Sequence, residues 1–285
     1  MKKFIFFVFS LFWLNHTYAQ NESLEKLERI TDSIESEGKM LYRSEFASWY
    51  GTDVFTGKCK YLLAQAGGYL SYDTKEGMNN IFFSKDTIPL VLATISFGSD
   101  FNPNNYKLDT VRRKLTEKEN DLYTIRKLAL EEMNRDTMFK HYRNTNLNLV
   151  PIIARNFKRV YVLTGPQVNG VIVFGNDYLI DFDKDDNITD KRKLHKGIIP
   201  IEFHAPTADT SKNEVSSIHS HLPEYSPFMT ATDICTLMLY EKFTTWTQHI
   251  VVSKNYVSIW DCKKNELVII TMDAWKRIYE QEKKN

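Results

Sequence analysis

Cysteine is scarce in this chain. Its 285 residues include three cysteines, Cys59, Cys235 and Cys262. Three are too few for the disulfide framework that holds small extracellular domains together. One bridge is possible, because Cys235 and Cys262 both lie in the C-terminal half. Three free, buried thiols are an equally good interpretation.

Net charge is also lacking, since 37 basic side chains face 36 acidic ones. A chain without an overall field gives no reason to expect binding to nucleic acid or to an anionic membrane surface. The sequence contains no glycine-rich nucleotide loop and no Gly-x-Ser-x-Gly elbow. It therefore offers no support for nucleotide chemistry or for a serine hydrolase of that type.

Long hydrophobic runs are missing as well. The N-terminal apolar run, Phe4–Leu14, follows two lysines, and the small residue Ala19 lies shortly after it. This order predicts a signal peptide over residues 1–19 of an exported bacterial protein, periplasmic or secreted; an uncleaved N-terminal anchor is the alternative. No cysteine follows the run, so no lipid attachment site is expected. No later segment reaches about 18 apolar residues, so we expect no membrane span in the mature chain.

The chain divides into two parts by its pattern of predicted helices and strands. Residues 20–150 are predicted to form an α+β region of unknown role, with a helix over 22–49 that Gly51 ends. A capping box at Thr116–Glu119 predicts a second helix, to about Met138. Three apolar runs between these helices predict strands, and the polar stretch 144–148 is interpreted as a connector.

The second part, residues 151–285, is predicted to be a mixed α+β domain. Its strands are expected in "KRVYVLTG", "GVIVFGNDYLIDFD", "GIIPIEF", "VSSIHSH", "QHIVVS", "YVSIWD" and "ELVIIT". One helix from Thr230 interrupts them, and a last helix follows Asp273. The acidic stretch 183–190 resembles a calcium loop only at its start and is interpreted as a hairpin turn.

The stretch "IHSHLPEYSPFMTATD" (218–233) carries the chemistry. In a strand, His219 and His221 point to one face, because side chains alternate. Asp233 falls in the first turn of the next helix, where the helix dipole favours a carboxylate. Two imidazoles, one carboxylate and an open fourth position make the ligand set of a hydrolytic zinc ion (Zn2+). The alternative is a strand followed by an ordinary helix cap at Thr230 or Thr232.

These residues resemble a family motif. His219-x-His221 followed by Thr230-x-x-Asp233 is similar to the His-x-His…Ser-x-x-Asp motif of the JAB/MPN (JAMM) metalloproteases, most of all their RadC-like branch. "TQHIVVSKNYVSIWD" is similar to the strands after that motif. The resemblance implies a mixed sheet with a central helix, layered as in JAMM and cytidine deaminase folds. It also implies zinc ligands at His219, His221 and Asp233, with Thr230 holding the tetrahedral intermediate.

Two features depart from the family. The spacer between His221 and Thr230 is one residue longer, and residues 155–170 contain no acid where the family has its general-base glutamate. Glu202 is the nearest upstream acid on a predicted strand, with a surface carboxylate as the alternative interpretation. Glu224 is a weaker substitute. His249 is either a ligand-supporting residue or a hydrogen-bonded core residue, and His204 either joins the site or is a loop histidine.

The sequence thus leaves several functions open. The first is a zinc-dependent peptide or isopeptide hydrolase, whose partner is an unknown protein or peptide substrate. The second is a non-catalytic binding module that keeps the fold, and the missing glutamate favours it. The third is a structural protein without metal, in which both histidines point into a dry core.

Overall fold

The computed structural model describes residues 5–203 and 216–283, with side chains from residue 24 onward. Helices and sheets are both extensive, which confirms the α+β class. The helices are α1 (Ile5–Lys58), α2 (Glu117–Arg135), α3 (Ala231–Tyr240) and α4 (Met272–Glu282). The strands are β1 (Ala66–Asp73), β2 (Gly77–Ser84), β3 (Leu90–Gly98), β4 (Tyr106–Asp109), β5 (Arg113–Lys114), β6 (Thr145–Ala154), β7 (Phe157–Pro166), β8 (Val171–Gly175), β9 (Tyr178–Phe182), β10 (Ile188–Lys193), β11 (Ile198–Glu202), β12 (Ser216–Ser220), β13 (Gln248–Val252), β14 (Tyr256–Asp261) and β15 (Glu266–Thr271).

The strands form four sheets in the described residues. The first has the order β1-β2-β3-β4, with β5 also pairing β3, and the second has the order β10-β9-β7-β6. A two-stranded sheet joins β8 to β11, and the last sheet has the order β12-β13-β14-β15. Only β12 and β13 pair in parallel among these strands. Parallel pairing requires a crossover, and α3 supplies it.

Helix α1 is longer than predicted. It continues through Gly51 to Lys58, because tertiary packing outweighs the low helix propensity of glycine. A Cβ at Gly51 would lie 2.3 Å from the Asn80 side chain, so glycine permits α1 to approach β2 closely. The expected cleavage site after Ala19 lies within α1, and the signal peptide stays a prediction. No helix of the described part combines the length and apolar character needed to cross a bilayer.

Strands β6 and β10 were missed, and β10 begins at Ile188, within the stretch interpreted as a turn. The predicted connector 144–148 instead contains the start of β6, which pairs with β7 along its whole length. The proposed boundary at 150/151 falls within this strand, and the division into two parts stays a prediction. The capping box at Thr116 and Glu119 is confirmed, with α2 ending at Arg135. The acidic stretch from Asp183 is the turn between β9 and β10, and all three cysteines are free and buried.

Helix α1 packs against the second half of the chain. Leu41 shares a core cluster with Val150, Ala231 and Cys235, so α1 contacts both β6 and α3. The contact with α3 is close, since a Cβ on Gly38 would lie 2.6 Å from the Ile234 Cβ. The helix that carries Asp233 is therefore held in place by the N-terminal helix.

We expect Gly38→Ala to destabilise the protein. Alanine favours a helix, but here its Cβ would force α1 away from α3, and overpacking of this kind costs about 1–3 kcal/mol. Gly57→Ala is the matched control in the same helix, because nothing lies within 4 Å of a Cβ there. That control should stabilise by up to about 1 kcal/mol. Urea denaturation measures both, and equal effects would contradict the close approach.

Candidate metal centre

The end of β12 presents two buried histidines. His219 lies in the strand, and His221 follows it, with its backbone N–H donating to Val252 O at 2.9 Å. The two imidazoles face each other, with Nε2 atoms 3.1 Å apart. Both are buried, although Ser220 between them is exposed. The alternation of a strand thus brings two ring nitrogens together, as predicted.

The N-terminus of α3 supplies a buried carboxylate. Thr230 is the N-cap, and its capping box with Asp233 uses one carboxylate oxygen only. Asp233 Oδ2 accepts from the Thr230 backbone N–H and hydroxyl, both at 2.8 Å. Asp233 Oδ1 is buried and has no hydrogen-bond partner in the described residues. A buried acceptor without a donor is costly, so this oxygen is available to a cation.

A third histidine, His195, joins this centre. It lies between β10 and β11, and its Nε2 is 3.4 Å from Asp233 Oδ1. The donor atoms of His195, His221 and Asp233 all lie within 4.8 Å of one another. His219 Nε2 is 3.7 Å from Asp233 Oδ1. This buried group of histidines and an aspartate could hold a metal ion.

The hydrogen bonds of His221 define its tautomer. Its Nδ1 contacts two backbone carbonyls, Phe228 O at 2.8 Å and Ser226 O at 3.2 Å. Carbonyl oxygens only accept, so Nδ1 carries the proton. In the neutral ring, Nε2 then has a free lone pair, and this nitrogen lies 3.5 Å from Asp233 Oδ2. This is the tautomer that a metal ligand requires.

His219 is oriented by a buried hydrogen-bond chain. Its Nδ1 lies 2.9 Å from His249 Nε2, and His249 Nδ1 lies 2.6 Å from Ser217 Oγ. His249 also stacks on Phe174, with ring centroids 4.8 Å apart. If His219 Nδ1 and His249 Nδ1 each donate along this chain, His219 Nε2 is left unprotonated toward Asp233.

Electrostatics keep two of the imidazoles neutral. Burial lowers the pKa of His219 to about 4 and lowers that of His221. Burial also opposes the charged form of Asp233, but His195 does most to outweigh it and to hold the pKa of the carboxyl well below its usual value. For His195, burial is outweighed by the carboxylates of Asp233 and Asp177, and its pKa is raised.

Asp177 lies behind His195. Its Oδ2 is 3.6 Å from His195 Nδ1, and its Oδ1 accepts from the Thr164 backbone N–H at 2.8 Å. Burial raises the pKa of Asp177 to about 6. Like Asp233 Oδ1, His195 Nδ1 has no hydrogen-bond partner among the described residues. A carboxylate behind an imidazole is the arrangement found around many metal-bound histidines.

The remaining candidates lie elsewhere. Glu202 is exposed at the end of β11, and no hydrogen bond or ion pair in the described part of the chain links it to the centre. Glu224 is exposed in the loop after His221. His204 lies outside the described residues. The sequence missed His195 and Asp177, because each is in a polar turn with no periodic pattern and meets the centre only through packing of distant strands.

Comparison with known proteins assigns this chain to no family. No protein-family model, no curated protein and no solved structure matches this chain. The JAMM resemblance therefore stays a prediction that rests on the motif residues.

We expect the purified protein to bind a single divalent metal ion per chain. His221→Ala should abolish binding, because it removes a ring nitrogen with a free lone pair at the centre. His141→Ala is the matched control, since His141 is exposed and outside the cluster. Elemental analysis after gel filtration measures the content. Equal metal in both variants would show that the ion binds elsewhere.

We also expect His249→Phe to weaken metal binding without removing a ligand. Phenylalanine keeps a ring beside Phe174 but cannot accept from His219 Nδ1. Loss of such a supporting hydrogen bond typically costs 10- to 100-fold in metal affinity. Competition with a chromogenic chelator measures the affinity. An unchanged affinity, with circular dichroism like that of the wild type, would contradict the orienting role.

Proposed function

We propose that the centre binds zinc and hydrolyses a peptide or isopeptide bond, in the manner that the JAMM resemblance implies. The observation that carries this proposal is the buried Asp233 Oδ1, which faces imidazole nitrogens and lacks a hydrogen-bond donor. Nitrogen and carboxylate donors suit zinc better than calcium or magnesium, which prefer oxygen.

The distances support zinc. Two ligand atoms bound at 2.0–2.2 Å in a tetrahedron lie about 3.3–3.6 Å apart. His219 Nε2 and His221 Nε2 are 3.1 Å apart, and each lies near one oxygen of Asp233, His221 Nε2 at 3.5 Å from Oδ2 and His219 Nε2 at 3.7 Å from Oδ1. These three residues would hold the ion. A bound zinc ion supplies a Lewis acid that polarises a carbonyl and lowers the pKa of a coordinated water molecule to about 7.

His195 is our candidate for the general base. The expected glutamate is absent, and Glu202 is exposed without a contact to the centre. His195 Nε2 faces the centre, while Nδ1 faces the buried Asp177 carboxylate at 3.6 Å. An imidazole held between a reaction centre and a carboxylate can take a proton at Nε2 and pass it to a leaving amine. Asp177 would orient the ring and stabilise its charged form.

Thr230 then has a positioning role in this proposal. Its hydroxyl donates to Asp233 Oδ2 and accepts from the Asp233 backbone N–H at 3.2 Å. A hydroxyl engaged in this way fixes the carboxylate and has little capacity left for an oxyanion. The substrate class remains a protein or peptide, and the predicted signal peptide supports action outside the cytoplasm.

A second candidate is a closed, non-catalytic metal site. Its support is that the donors of His195, His221 and Asp233 already lie within 4.8 Å of one another. With His219 as well, four side chains would occupy all four coordination positions of a tetrahedral zinc ion, which is typical of structural zinc. His195 is then a ligand, and the protein acts by binding a partner.

His195→Ala separates the two candidates. If His195 is the base, zinc content stays near wild type and kcat/KM falls by about 10²–10⁴-fold. If it is a ligand, zinc affinity itself falls. Fluorogenic peptides and glycyl isopeptides of lysine are the substrates, and chelator competition measures the zinc.

Asp177→Asn is the companion variant, and His141→Ala is again the control. We expect Asp177→Asn to lower kcat/KM with zinc retained, because the amide no longer stabilises a charged His195. Absence of zinc-dependent turnover in the wild type, on every substrate tested, would refute the hydrolase proposal and leave the closed site.

A further inference from the structure

A second cavity, of 380 Å³, opens between α1, α3 and the β6–β7 hairpin. Its volume is within the range of small-molecule sites. One face of α1 forms a wall with Glu45, Ser48, Trp49, Thr52 and Asp53, which recur at helical spacing. Nothing in the proposed zinc chemistry uses these residues.

The deep end of the cavity holds a carboxyl group. Glu45 Oε2 accepts from Asn148 Nδ2 at 2.7 Å, and Tyr69 donates to Asn148 Oδ1 at 3.0 Å. No hydrogen bond from the described residues reaches Glu45 Oε1. Burial raises the pKa of this carboxyl to about 7. A partly buried carboxylate with one free oxygen is a strong acceptor for a charged donor.

The outer end of the cavity is aromatic. Trp49 is 39% exposed and lies against Tyr240, with ring centroids 5.8 Å apart. Both rings line the cavity, as does Tyr69 at the deep end. Indole and phenol faces carry partial negative charge and attract cations.

The charged side chains that line the cavity in the described residues are both acidic. Glu45 and Asp53 contribute carboxylates, and no lysine, arginine or histidine is among the described lining residues. Arg126 lies outside this lining, 5.9 Å from the Tyr69 ring centroid, and its charge partly offsets the effect of burial on the pKa of Glu45. A cavity with two carboxylates, three aromatic rings and no cation is complementary to a positive ligand.

We propose that this cavity binds a primary ammonium group, carried by a small amine or by a lysine side chain. The ammonium would donate to Glu45 Oε1, and its alkyl stem would lie against Trp49 and Tyr240. The site does not depend on the metal centre, so either proposal can fail alone.

The test uses the full chain and two matched probe pairs. Pentylamine is compared with pentanol, and acetyl-lysine methylamide is compared with acetyl-norleucine methylamide. Titrations are followed through the indole N–H signals by NMR, with Trp49→Phe assigning the Trp49 signal. We expect the amines to shift the Trp49 signal and the neutral partners to leave it unchanged. Binding of pentylamine indicates a free amine, and binding of the lysine probe alone indicates a peptide side chain.

Glu45→Gln should weaken amine binding by about 10- to 100-fold, since a charged hydrogen bond is lost. Glutamine keeps the acceptor for Asn148, so the fold should be retained. Glu131→Gln, an exposed acid on α2, is the control and should bind like the wild type. Equal affinity of amine and neutral probes, an unaffected Glu45→Gln variant, or no shift at about 10 mM, above the millimolar range of weak ligands, would each overturn the proposal.

Discussion

The candidate centre depends on Asp233, whose two carboxylate oxygens have different surroundings. Asp233 Oδ2 is fully satisfied by Thr230 at the start of α3, so the side chain cannot rotate away from the strand. Asp233 Oδ1 is left buried without a donor, facing His195 and His219. The cap that begins the helix is therefore the same interaction that aims the free oxygen. Ligand positioning and helix initiation cannot be changed separately here.

Distant parts of the chain hold this geometry. The crossover from β12 through α3 to β13 brings His219, His249 and Asp233 together, because parallel strands need a helix between them. Helix α1 fixes α3 from behind through the close approach of Gly38 to Ile234. The N-terminal helix thus supports a site to which none of its described side chains, from residue 24 onward, contributes a ligand atom. His219, on a strand, and Asp233, on a helix, are held more precisely than side chains on loops would be.

Local patterns predicted one side of the centre and missed the other. The alternation of β12 and the cap of α3 are short-range signals, so His219, His221 and Asp233 could be found in the sequence. His195 and Asp177 lie in turns, and their approach depends on how the sheet of β8 and β11 packs against α3 and the last sheet. Likewise Gly51 was expected to end a helix, but α1 continues, because glycine is required there for contact with Asn80. The stretch 144–148 is polar, so its sequence did not suggest a strand. Its extended structure depends on pairing with β7.

Charge balance gives Asp177 a reason to be present in either candidate function. A zinc ion beside Asp233 alone would leave one net positive charge in a buried site, which is unfavourable. Asp177, behind His195, supplies the second negative charge. Burial holds its pKa near 6, and a nearby dication would lower that pKa and favour the ionised form. Without a metal ion, a protonated His195 between Asp233 and Asp177 would balance part of this negative charge, since both carboxylates raise its pKa.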